Sequence, residues 1–99
     1  MDRNNKYVLM ADILKSLAHP TRLKIVEQLS RGEKCVQDLQ RVTGTDMSTV
    51  SRHLSVLKNR GIIDFRRDKT FMYYRLKNEL VLDIFPCVGS FLGTKIKEE

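Results

Sequence analysis

With only two cysteines in 99 residues, Cys35 and Cys87, the chain lacks the disulfide framework that staples small secreted modules. No apolar run approaches the roughly 18–20 residues that cross a bilayer. The opening Met1-Asp-Arg-Asn-Asn-Lys has no signal-peptide stretch, so a cytoplasmic location without a membrane partner is expected. Low-complexity tracts, internal repeats and long Gly/Pro/Ser linkers are missing too, and residues 1–99 are expected to build one domain. There is no Gly-rich phosphate loop. Neither His19 nor His53 stands at a recognisable spacing from a nucleophile and an orienting carboxylate, which argues against an enzyme.

What is present is positive charge. Eighteen Lys and Arg face twelve Asp and Glu, a net +6 in a chain that is 41% hydrophobic and 30% charged, an ordinary globular balance. The excess is concentrated: between Lys58 and Lys77 lie seven basic residues, Lys58, Arg60, Arg66, Arg67, Lys69, Arg75 and Lys77, against Asp64 and Asp68. Such a patch attracts phosphate polyanions through screened Coulomb forces and counterion release. A solvated face has the same composition, so charge alone does not assign the partner.

Tyr7, Val8, Met10, Ala11, Leu14, Leu17 and Ala18 recur at helical spacing, and Pro20 marks the boundary of a second helix over about Pro20–Ser30 that Arg31-Gly32 stops. Here His19 is read as a cap, not a metal ligand. Cys35, Val36, Leu39 and Val42 predict a short helix over Cys35–Val42, and Thr43-Gly44-Thr45-Asp46 supplies a turn with an N-cap candidate. A longer helix follows, with Met47, Val50, Leu54 and Leu57 on its expected buried face and Ser48, Thr49, Arg52, His53 and Ser55 mainly elsewhere. After Gly61, Ile62-Ile63-Asp64-Phe65-Arg66 and Phe71-Met72-Tyr73-Tyr74-Arg75-Leu76 predict a two-stranded hairpin. Leu80–Lys97 is helical in pattern, with a bend or restart expected near Pro86. Gly89 and Gly93, four apart, permit close helix approach or fray a terminal helix. Leu82, Phe85, Val88, Phe91 and Leu92 leave an apolar surface that a second copy would cover.

Two helices joined by a tight Gly-containing turn, the second polar on its outer face, describe a helix-turn-helix, and the hairpin adds a wing. The expected class is α+β, mainly α: a winged helix-turn-helix flanked by N- and C-terminal helices. Ser48, Thr49 and Ser51 lie near the start of the second helix, where hydroxyls and backbone N–H groups hold phosphate or meet base edges. Arg52 suits guanine or phosphate. His53, Ser55 and Lys58, with Arg66, Arg67 and Lys69 of the wing, complete the candidate DNA-binding set; for each hydroxyl, capping or solvation is the competing role, and for His53 a solvated or helix-packing ring.

These residues carry a family likeness. Leu17-Ala18-His19-Pro20-Thr21-Arg22-Leu23-Lys24-Ile25 resembles the "LADPTRLRIL" opening of ArsR/SmtB regulators, and Ser48–Lys58 resembles their recognition helix. Lys58–Ile63 and Tyr73-Tyr74-Arg75-Leu76 are similar to the strand leading into the family's wing and its "YYRL" return. The resemblance implies a homodimeric repressor, joined through its first and last helices, that holds a double-stranded operator until an effector releases it. It also frames the cysteines. Metalloid-sensing members read "ELCVCDL" where this chain has Glu33–Leu39, so Cys35 is kept while Gln37 replaces the second cysteine. Pro86-Cys87-Val88 is similar to a "PCV" segment on the last helix of some arsenical regulators, whose further cysteine is Leu80 here. The histidine ligands of zinc-sensing members have no counterpart after His53. Three readings of Cys35 and Cys87 stand: ligands for As(III) or a soft metal, a redox or persulfide switch, or small buried hydrophobes. No cofactor is expected for folding. From another class, a winged helix module docking an acidic protein partner fits the same charge.

Overall fold

The computed structural model describes residues 3–93. The chain order is α1 (Arg3–Leu17), α2 (Pro20–Leu29), β1 (Lys34–Cys35), α3 (Val36–Thr43), α4 (Met47–Asn59), β2 (Ile63–Asp68), β3 (Phe71–Leu76), a 3-10 helix (Glu79–Asp83) and α5 (Ile84–Leu92). This is the mainly helical α+β architecture that the periodicities predict. His19 caps α2 as expected: its Nδ1 accepts from the Thr21 amide at 3.1 Å, and Pro20 takes the first helical position, where its missing N–H costs nothing.

The core forms where α2, α3 and α4 meet the sheet. Ile25, Val26 and Leu29 of α2, Leu39 of α3, Val50, Leu54 and Leu57 of α4, and Ile62 and Ile63 make one buried cluster, with Leu17 of α1 closing one side. The apolar positions of α2 and α4 recur at three and four residues, so each helix commits one stripe to this cluster.

β2 and β3 pair antiparallel from Ile63 with Leu76 to Asp68 with Phe71, leaving Lys69 and Thr70 as the tip. Lys69 adopts φ 59, the left-handed region that L side chains enter at a cost. The two-stranded sheet is corrected to three strands, in the order β1-β3-β2. Lys34 pairs with Tyr74 and Cys35 with Tyr73 along the open edge of β3. The helix predicted to include Cys35 accordingly begins at Val36, because the backbone of Cys35 is extended and committed to that edge. At the C-terminal end the helix restarts at Ile84, two residues ahead of Pro86. Proline is tolerated there because the first helical turn has no intrahelical use for its N–H. Of the helix predicted over Leu80–Lys97, residues 94–97 lie outside the described residues, and Gly93, at φ 67, caps α5.

Candidate nucleic-acid interface

Gly44 closes α3 in the left-handed conformation at φ 71, and its amide donates to the Gln40 carbonyl at 3.0 Å. Any L residue is strained at that angle, which is why glycine sits at the bend. Gln40 reaches across and donates from Nε2 to the Thr45 carbonyl at 3.0 Å. Asp46 then caps α4, accepting the Thr49 amide at 2.7 Å and the Ser48 hydroxyl at 3.0 Å. These bonds, the Thr49 amide foremost, hold the Asp46 carboxyl below its ordinary range. Four hydrogen bonds thus set the angle between α3 and α4.

An α-helix advances about 100° per residue, so positions at i, i+3, i+4 and i+7 share a face. On α4 the buried stripe is Val50, His53, Leu54 and Leu57. Diametrically opposite lie Ser48, Ser51, Arg52 and Ser55, all exposed, with half-buried Thr49 and exposed Lys58 on the flanks. Two sequence expectations change. Met47, assigned to the inner face, is 39% exposed, and His53, assigned to the outer polar surface, is 6% exposed. The inner stripe runs through position 53, and an imidazole can occupy it because a partner satisfies its nitrogen: Arg22 Nε donates to His53 Nδ1 at 2.9 Å.

The wing cations divide in the same way. Arg66 is engaged: Nε and Nη2 donate to the two carboxylate oxygens of Glu33, each at 2.9 Å, and its guanidinium stands 4.7 Å from the centre of the Tyr73 ring. This bidentate bond holds the Glu33 carboxyl below its usual range and raises Arg66. Lys58 lies over the Phe65 ring, Arg75 faces Asp64 at 3.5 Å, and Arg60 faces Asp12 at 3.9 Å. Arg52, Arg67 and Lys69 make no hydrogen bond or ion pair with the described residues. Neither Glu33 nor Arg22 carries a local signal of these pairings: Arg22 stands in the opening of a helix 31 residues from His53, and Glu33 lies 33 residues from the arginine it holds.

Both cysteines are free thiols, on separate elements. Cys35 is half-buried, and its thiol donates to Asp38 Oδ2 at 3.2 Å; that bond, followed by the charge of Arg41, keeps the Asp38 carboxyl low. Cys87 lies exposed on α5, which packs on the 3-10 helix. Among the described residues no three His, Cys, Asp or Glu side chains are grouped to hold a metal ion, and no helix is long and apolar enough to cross a membrane.

A helix-turn-helix whose second helix presents a polar stripe beside a basic hairpin defines a winged helix-turn-helix protein. Residues 19–64 match the family model described as "Bacterial regulatory protein, arsR family". The chain is 40% identical over 89 residues to the biofilm growth-associated repressor of Xylella fastidiosa, covering 90% of this chain and 78% of that protein. It is 37% identical over 79 residues to an HTH-type transcriptional regulator of Mycobacterium tuberculosis, of which it spans only 35%. NolR of Sinorhizobium fredii superposes with a TM-score of 0.83 at 28% identity, covering 92% of this chain and 91% of that one. The homodimeric winged helix-turn-helix DNA-binding domain of a possible ArsR-family regulator from Mycobacterium bovis gives 0.78 at 33% identity, covering 93% and 86%. The chain belongs to the arsR family of bacterial regulatory proteins. Its family is one of bacterial regulatory proteins, and its fold is shared with the DNA-binding domain from Mycobacterium bovis.

Proposed function

We propose that this chain, as a single winged helix-turn-helix domain, is a homodimeric transcriptional repressor that inserts α4 into the major groove of a pseudo-palindromic operator. The observation that carries the reading is the stripe of Ser48, Ser51, Arg52 and Ser55 opposite the buried face of α4, with Arg67 and Lys69 of the wing uncommitted. A helix anchored on one side and polar on the other fits a groove about 12 Å wide. In this reading Arg52 reads a base edge, Ser48, Thr49, Ser51, Ser55 and Lys58 contact bases or phosphates, and Arg67 and Lys69 hold backbone phosphates. Arg66 shapes the wing through Glu33, and His53 acts from behind the helix. The repressor name of the Xylella relative and the homodimer of the Mycobacterium bovis domain support the remainder.

The test is duplex selection from a random pool, followed by affinity measurements across a salt series. Arg52→Ala should lose roughly 1–3 kcal/mol on the selected duplex and little on scrambled DNA. Equal binding of both duplexes by the unaltered protein sinks the reading and favours docking on an acidic protein.

The effector is proposed to act through thiols, as a thiophilic metal or metalloid such as As(III), or as an oxidant or persulfide donor. Exposure of Cys87 and partial exposure of Cys35 support access. Cys35→Ser or Cys87→Ser should abolish release from the duplex by whichever reagent of an arsenite, soft-metal, oxidant and persulfide panel is active, while leaving basal affinity unchanged. Release that persists in both variants removes the thiols from the mechanism.

A further inference from the structure

His53 is buried on the face of α4 turned away from the polar stripe, and the titratable groups that act on it are all basic. Arg22 of α2 donates from Nε to its Nδ1 at 2.9 Å and from Nη1 to the Ser16 carbonyl at 3.2 Å. One guanidinium therefore ties the end of α1 to the middle of α4. His19, between α1 and α2, places its ring 4.4 Å from that of His53, and Arg52 contributes its charge from the same helix. Of the carboxylates on the packed elements, Asp12 of α1 faces Arg60, Asp38 of α3 faces Cys35 and Arg41, Asp64 of β2 faces the Phe65 amide and Arg75, Asp68 of β2 faces Arg66, and Glu27 of α2 lies exposed.

The bond requires a neutral ring. Nδ1 can accept from Arg22 only while it carries a lone pair, which places the imidazole proton on Nε2. Taking up a proton at Nδ1 would set an N–H against an N–H and put a cation between Arg22 and His19. Water cannot easily intervene at a side chain 6% exposed.

We propose that Arg22 and His53 are positioning residues that pin α4 to the end of α1 and set the angle of its outer face, and that a proton on His53 releases the pin and lowers selective DNA binding. The DNA half of this inference rests on the function proposed above; the release of α4 does not.

Burial first, then the neighbouring His19 and Arg22, hold His53 below the ordinary imidazole value of 6.5. For a group depressed in the folded state, the unfolded chain binds more protons between the two values. The stability that His53 contributes is thus complete above 6.5 and declines as pH falls from there through the lowered folded value. Electrostatics alone would act the other way on DNA binding, since histidines that gain charge strengthen phosphate attraction. A loss of selectivity on acidification is therefore diagnostic.

Two measurements test the pin on the full chain. In nuclear magnetic resonance without DNA, the amides of α4 should shift with the same midpoint as the His53 ring, and the Arg22 Nε–H signal should vanish in step. His53→Gln, whose side-chain oxygen can accept from Arg22 but gains no proton, should keep both features constant, and His19→Gln should raise the midpoint. Amides of α4 that ignore the His53 titration overturn the pin. With DNA, the ratio of affinities for the selected and scrambled duplexes should fall at least about fivefold from pH 8 to the acid side of the His53 midpoint, and stay flat in His53→Gln. A parallel fall in His53→Gln overturns the link to recognition. A protein that selects no duplex at any pH overturns the DNA-binding reading, while the DNA-free shifts still decide the pin.

Discussion

Leu54→Ala should lower the unfolding free energy by roughly 2–5 kcal/mol in urea denaturation at fixed protomer concentration. Leu54 is 1% exposed and lies in the cluster shared by α2, α3, α4 and the sheet. Truncation removes the transfer free energy of the lost atoms and leaves a space that surrounding helices fill only in part. A domain of this size has only about 5–15 kcal/mol of stability to lose, so one such change consumes a large share of it. The same truncation at Met47, where the side chain is 39% exposed, should cost less than about 1 kcal/mol. Equal losses at the two positions would contradict the inner stripe of α4 described above.

The second large effect is on assembly. Tyr7, Met10 and Leu14 share a face of α1, and Val88, Phe91 and Leu92 share a face of α5; all six are exposed, Phe91 at 85% and Leu14 at 58%. Side chains of this size at helical spacing make an apolar stripe on each helix, of a kind that monomers rarely leave open. A two-fold pairing would cover it and present two copies of α4 to half-sites about one helical turn, or a multiple, apart. Leu14→Glu places a charge in that surface without touching the core, and should sediment as a folded monomer. Losing the linkage between half-sites should cost at least about 100-fold in affinity for a palindromic duplex. Full affinity in a monomeric variant would remove dimerisation from the mechanism.

The order of elements was legible because each depends on signals within a few residues of itself. Pro20, Gly32, Gly44 and Gly61 punctuate the chain, and the runs flanking Lys69 and Thr70 have the β-branched and aromatic composition of a hairpin. The third strand was not legible, because Lys34 and Cys35 are extended only by virtue of the β3 edge that arrives from residues 73 and 74. His53 shows a different limit. Its place in the buried stripe, three after Val50 and one before Leu54, was in the spacing, but a polar residue type outweighed position until Arg22, 31 residues away, supplied the bond that makes burial affordable. Met47 erred in the opposite sense, an apolar type on a position that the fold leaves at the margin.

The same division runs through the recognition helix. Periodicity, turn chemistry and charge, all local in the chain, were enough to establish a winged helix-turn-helix with a basic wing and a polar outer face on α4. Which polar groups are free for a partner was a matter of long-range pairing: Arg66 is held by Glu33 and His53 by Arg22, whereas Arg52, Arg67 and Lys69 are left uncommitted. Residue type and spacing carry no information about such pairs, because they form only when the folded backbone brings distant side chains within hydrogen-bond reach.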